Sequence, residues 1–391
     1  MKKTLFALAI ATVTLGVGAS QLLAITPKAP DFVVDQGTVQ CKNPNFTTSN
    51  GINLAIAAAA VGKTIKVCPG SYTAVTVTKK VTLNGTAPLV TAAQCIAPAT
   101  TPATDVNAFP VVEGGFAVDG VDDVKISQFT IQHAATGVHT TAATDGLTLT
   151  KNIVQNNTIG VYLNGGTAVK PSKVNGNCIR RNNQSGASAG SGIYTDQGLA
   201  FAQITKNAFY SNNNGGNGGA FNGAAGPMDS LFINGNSSNS DANFVSLAGA
   251  TNSEISGNNA TNTSGGAVFL DGDNWKVNIV GNTFTLGQDD GIGLGGGTNP
   301  NEQILIQSNS ITSNSTDGID TNADSLIRSV ISQNTISSNG TRGIALVNSG
   351  NTGNFVLSNK VTTNGAGTAD NCVENSGNNA TWYANNAECT P

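Results

Sequence analysis

The chain has 391 residues, 47 of them glycine, and only 11% are charged and 5% aromatic. Long helices need Leu, Glu, Lys and Ala at a period near 3.6, so this composition excludes a helical bundle. A formal net charge of −4 leaves no basic stripe to neutralise phosphates, which excludes nucleic acid as a partner.

The opening residues, MKKTLFALAIATVTLGVGASQLLA, set two lysines before an apolar run that ends in small residues. This is the pattern of a secretory signal over 1–24, with cleavage expected after Ala19 or Ala24. Loss of Lys2 and Lys3 would take the mature charge to about −6. No later segment is long and apolar enough to span a bilayer, so a soluble secreted, periplasmic or cell-surface protein is expected. Six cysteines in an exported chain point to disulfides. Cys41 with Cys68 and Cys372 with Cys389 are close in sequence near the two ends. Cys95 and Cys178 are left over, as a third pair or as free thiols.

Residues 25–85 form an N-terminal cap and the first coils. Residues 86–118, with Pro88, Pro98, Pro102 and Pro110, carry no repeat and form an inserted loop. From 119 to 365 the chain repeats, and 366–391 form a C-terminal cap. Aligned on one Asn, the repeats include LTKNIVQNN, VNGNCIRRN, ITKNAFYSN, ISGNNATN, IQSNSITSN and ISQNTISSN, with the marked Asn at 152, 177, 207, 236, 258, 282, 309, 334 and 359. Most are followed by Gly-apolar-x-apolar, as in GVYL, GIYT, GIGL and GIAL. A unit of 22 to 30 residues with three short alternating runs cannot bury its own apolar face, whereas a stack of such units can. The Asn would then form a ladder bonding the backbone of neighbouring turns. The fold class is an all-β, single-stranded parallel β-helix.

These units resemble the pectate-lyase-like superfamily over roughly residues 40–391. The start, GINLAIAAAAVGKTIKVCPGSYTAVTVTKKVTLNG, looks like the capping helix and first coils of exported bacterial β-helix proteins, and TWYANNAEC looks like the opposite cap. The resemblance implies a right-handed helix, with Ala55 to Ala60 as the helix that plugs the open end of the core.

In the Gly-apolar-x-apolar strand the two apolar residues point inward, so the residue between them points out. That column is expected to hold His139, Tyr162, Tyr194, Phe221, Ser246, Phe269, Gly293, Asp320 and Ala345. Aromatic faces in a row suit the apolar faces of sugar rings, so Tyr162, Tyr194, Phe221 and Phe269, with Arg342 beside them, are the candidate binding residues for a polysaccharide. The same rings could instead only stabilise the ladder.

Asp290, Asp317 and Arg342 share one position before the Gly of successive coils, with Asp320 on the adjoining column. STDGIDT and GQDDGIGL resemble polygalacturonase motifs, which implies general acid and base roles for Asp317, Asp289 and Asp290. Their chain order is reversed, however, and neither GHG nor R-I-K follows. A turn-and-ladder role for Asp290, Asp317 and Asp320 is the leading expectation, since Gly takes a positive φ and Asp caps the turn. A cation site and catalysis are the alternatives. Asp271 and Asp273 in LDGDNW could bind Ca²⁺ or serve a solvated turn. His133 and His139 have no Cys or carboxylate at metal spacing, which disfavours zinc. The expected function is a monomeric or stacked exported protein that binds polysaccharide on one sheet. A polysaccharide hydrolase or lyase, and a purely structural surface protein, are the alternatives.

Overall fold

The computed structural model describes residues 30–36, 41–96, 105–295, 297, 299–321, 325–374 and 382–389; the expected signal segment lies outside them. Among the described residues the chain winds through three long parallel sheets. Sheet A has 14 strands, from Phe32–Val34 to Trp382–Ala384. Sheet B has 12, from Gly70–Tyr72 to Lys360–Thr362. Sheet C has 12, from Val75–Thr76 to Cys372–Glu374. Each coil contributes one short strand to each sheet, so every strand pairs with strands of neighbouring coils.

The alternation of the sequence dictates what is inside. In sheet A the middle residue points in, and Ile126, Leu149, Val174, Ile204, Ile233, Ile255, Ile279 and Ile306 are almost fully buried. In sheet C the flanking pair points in, as Ile193, Val268 with Leu270, and Ile344 with Leu346 do. Stacked identical positions make one continuous core, the way a solenoid replaces a globular interior.

The Asn ladder runs the length of the stack. The Nδ2 of Asn152 donates to Oδ1 of Asn177 at 3.1 Å, and the same bond recurs at Asn177–Asn207, Asn207–Asn236, Asn236–Asn258, Asn258–Asn282, Asn282–Asn309, Asn309–Asn334 and Asn334–Asn359. Each Oδ1 also accepts the preceding Asn's backbone N–H, as Asn309 does from Asn282 at 2.9 Å. These buried amides are therefore satisfied. The residue before each ladder Asn turns with positive φ, which is why Gly occupies 176, 235, 257 and 281. A second ladder five residues on joins Asn157, Asn182, Asn212 and Asp241.

Three disulfides tie the chain: Cys41–Cys68, Cys95–Cys178 and Cys372–Cys389. Helix α1, Gly51–Ala58, buries Ile52, Ala55 and Ile56, one face at i, i+3 and i+4 spacing. It begins four residues before the expected span and ends two residues short of it, at Ala58. Within 86–118, Pro110–Glu113 and Phe116–Val118 are strands of sheets B and C. Helix α2, Ala92–Ile96, lies outside sheet B, where Cys95, Ala87, Phe109, Val111, Ile153, Cys178 and Ala208 form a separate buried cluster.

Candidate functional site

The outward column of sheet C follows from its register: His139, Tyr162, Tyr194, Asn222, Ser246, Phe269, Gly293, Asp320 and Ala345 are successive partners. One expected member is corrected. Phe221 pairs with Ile193 and Val245 and is 1% exposed, so its ring fills the core and Asn222 holds the outward place. In GGAFNG the residue aligned with Gly192 is Ala220, not Gly219, and aligning glycines shifted this strand by one. Ala345 stands on the column but is fully buried.

At one end the column is aromatic. The His139 and Tyr162 ring centroids are 5.0 Å apart, and those of Tyr162 and Tyr194 are 5.5 Å apart. Asp196, two residues after Tyr194 in YTDQG, accepts both hydroxyls, from Tyr162 and from Tyr194 at 3.2 Å. Gln197 donates to the Tyr162 hydroxyl at 2.6 Å, and Asp119 pairs with His139 Nδ1 at 2.7 Å. Burial, reinforced by Asp196, pushes the Tyr162 hydroxyl up to about 12, so it stays protonated. A cavity of about 360 Å³ opens beside this end, lined by Ser188, Ser191, Tyr194, Asn214, Asn217 and Asn222 among others.

The other end is acidic. Asp317 is buried at 3% exposure, and Arg342 binds it with both Nε, at 3.0 Å, and Nη2. The same Nη2 lies 3.6 Å from Oδ1 of Asp320. Asp290 accepts the Thr316 hydroxyl and the Asp317 backbone N–H, the latter at 2.9 Å. Burial pushes its carboxyl up to about 6; these two hydrogen bonds oppose the rise, and the charges of Asp289 and Asp320 add to it.

Two glycines make room on the column. A Cβ at Gly293 would lie 3.3 Å from Asp290 Oδ2 and 3.4 Å from the Phe269 ring. A Cβ at Gly295 would fall into that ring, 2.1 Å from Cζ. The glycines of GIGLG thus let Phe269 lean over their coil with the Asp290 carboxyl beside it. This floor, and Asp119, Asp196 and Thr316, were not picked out from sequence; the signal for Asp196 was a carboxylate two residues after the outward Tyr.

The Asp-Gly steps are not positive-φ turns: neither Gly291 nor Gly318 has positive φ. Glycine is needed there because a Cβ on Gly291 would meet the Gly318 carbonyl at 2.7 Å, and one on Gly318 the Gly343 carbonyl at 2.5 Å. Asp271 and Asp273 are exposed around Gly272, with Asp273 at φ 55. Among the described residues, the one trio of potential metal ligands within reach of one another is Asp35, Cys41 and Cys68, whose sulfurs are joined in a disulfide.

A family model described as a right handed beta helix region matches residues 221–387. No curated protein matches the chain. Among solved structures, the chain is similar to the A-module of a mannuronan C-5 epimerase from Azotobacter vinelandii, at 13% identity over 88% of this chain and 95% of that one, TM-score 0.38. It is similar to a periplasmic alginate epimerase at 12% identity over 84% and 77%, TM-score 0.43. It is also similar to a DFA-IIIase from Arthrobacter chlorophenolicus in complex with GF2, at 15% identity over 89% and 99%, TM-score 0.49. Likeness at this level says nothing about chemistry, which has to be argued from the residues. Residues 221–387 are a right-handed β-helix region, the fold implied by the resemblance to the pectate-lyase-like superfamily.

Proposed function

We propose that this protein binds a polysaccharide along the outward column of sheet C and cleaves it at the acidic end, acting outside the cytoplasm as its three disulfides suggest. One observation carries the proposal. A half-buried carboxyl, Asp290, with its pKa raised to about 6, stands beside an outward aromatic ring and one coil from Asp320, which lies by an arginine. A carboxyl that holds its proton to about pH 6, with a second carboxyl on the next coil, suits acid/base cleavage of a glycoside.

The roles follow from protonation. Asp290 would donate its proton to the departing glycosidic oxygen. Asp320, beside the Arg342 guanidinium, would attack the anomeric carbon from the other side. Water deprotonated by Asp290 would then release the sugar and regenerate both groups. Arg342 and Asp317 would hold the geometry rather than touch the reacting atoms. The Tyr162–Tyr194 end would grip the chain several sugars away, and α1 would close the N-terminal end of the core.

The test is a panel of soluble polysaccharides offered to the purified mature chain, with binding and new reducing ends measured side by side. Binding should be lost in Tyr162→Ala with Tyr194→Ala while the melting temperature changes modestly. Wild-type binding in that double variant would remove the column from the account.

A further inference from the structure

The charges around sheet C narrow the substrate class, an inference that rests on the glycan function proposed above. None of the strands of sheet C contains a lysine or arginine. Basic residues in the surrounding turns already have partners, Lys80 with Asp123 at 2.9 Å among them. Lys170 pairs with Asp122 at 2.8 Å and Arg328 with Glu302 at 2.5 Å. Arg342 is bound to Asp317, while Lys276 lies 3.8 Å above the Trp275 ring and Arg181 5.8 Å from that of Tyr210.

Acidic groups meanwhile stand along the column, Asp320 on it and Asp119, Asp196 and Asp290 beside His139, the tyrosine pair and Gly293. A uronate chain laid along it would set one carboxylate after another against like charge with no cation released to meet it, and like-charge juxtaposition suppresses a wrong partner. A cationic sugar gains little, because these acids already have donors: Asp196 from two tyrosines, Asp290 from Thr316 and the Asp317 amide. What remains for a ligand is uncharged: rings at Tyr162, Tyr194 and Phe269, an amide at Asn222 and a hydroxyl at Ser246.

We propose that the groove takes a neutral glycan and rejects polyuronates. The test compares binding and cleavage of neutral polysaccharides (dextran, mixed-linkage glucan, xylan) with polygalacturonate, alginate and chitosan at one ionic strength. Binding or cleavage of at least one neutral polymer, tenfold or more above every charged one, is expected. A preference for a uronate polymer or for chitosan would overturn the neutral-substrate inference and leave the glycan function standing. No binding or cleavage in any class would overturn both. Ser246→Arg places a cation on the column, and should raise polygalacturonate binding at least tenfold in a salt-sensitive way. A folded variant with no such gain contradicts the inference.

Discussion

Asp290 accepts the backbone N–H of Asp317, one coil further along the stack, at 2.9 Å. The residue is thus at once a structural acceptor and a candidate proton donor, and substitutions separate the two. Asp290→Asn keeps an acceptor and should melt within a degree or two of wild type. Asp290→Ala leaves the Asp317 amide unsatisfied and should cost about 1–3 kcal/mol, measured by denaturant unfolding. The raised pKa fixes the pH dependence: the acid form persists below about 6, so cleavage should fall as pH rises above that value. A rate that climbs from pH 6 to 8 would contradict the acid role.

Asp241 gives a pH prediction about stability. It follows Asn157, Asn182 and Asn212 in the second ladder, accepts from Asn212 at 2.8 Å and from Ser238 at 2.6 Å, and is fully buried. Burial raises its carboxyl from 3.8 to about 7 despite those bonds. A raised folded pKa means the stabilising proton is held fully below the unfolded value and lost as pH climbs through about 7. Asp241→Asn should therefore stabilise the protein more at pH 8 than at pH 5, by on the order of 2–3 kcal/mol, the part of the shift that titrates between those values. Thermal unfolding at both values checks it; a constant difference would contradict the account.

The register of sheet C makes a sharp contrast between neighbours. Phe221→Ala should open a core cavity and cost about 3–5 kcal/mol, whereas Asn222→Ala should cost about 1 kcal/mol or less. Equal losses would mean that the two side chains do not face opposite ways.

The Cys95–Cys178 disulfide closes a separation of 83 residues and fastens α2 to sheet B. Replacing both cysteines by Ser should lower stability by about 2–4 kcal/mol. A peptide map of the unreduced wild type should show all three linked pairs; a free Cys95 would contradict the fold around α2.

These contrasts show what the sequence could and could not reveal. The repeated Asn and the alternation around it sufficed for the coil, because every coil must satisfy the same turn and bury the same positions. The strand at Phe221 misled because Ala220 fits the tight place that Gly192 fills elsewhere, so the glycine ceased to mark the register. The second ladder was visible as a second Asn five residues on in NIVQNN and NSITSN. Cys95 and Cys178 were left open by sequence as a pair or as free thiols, since 83 residues of chain leave spacing silent; the structure joins them. At the site, Asp290, Asp317 and Arg342 were aligned correctly from the coils. The Phe269 ring over Gly295 and the hold of Asp196 on two tyrosines depend on side-chain directions across coils, which spacing alone does not fix.

The most direct measurement is the rate of reducing-end release from a neutral polysaccharide by wild type and by Asp290→Asn, with binding to the same polymer followed in parallel. The account predicts cleavage by wild type, a loss of 10²-fold or more in the variant, and unchanged binding. Equal rates in the two proteins, or no release by wild type from any polymer that it binds, would contradict it.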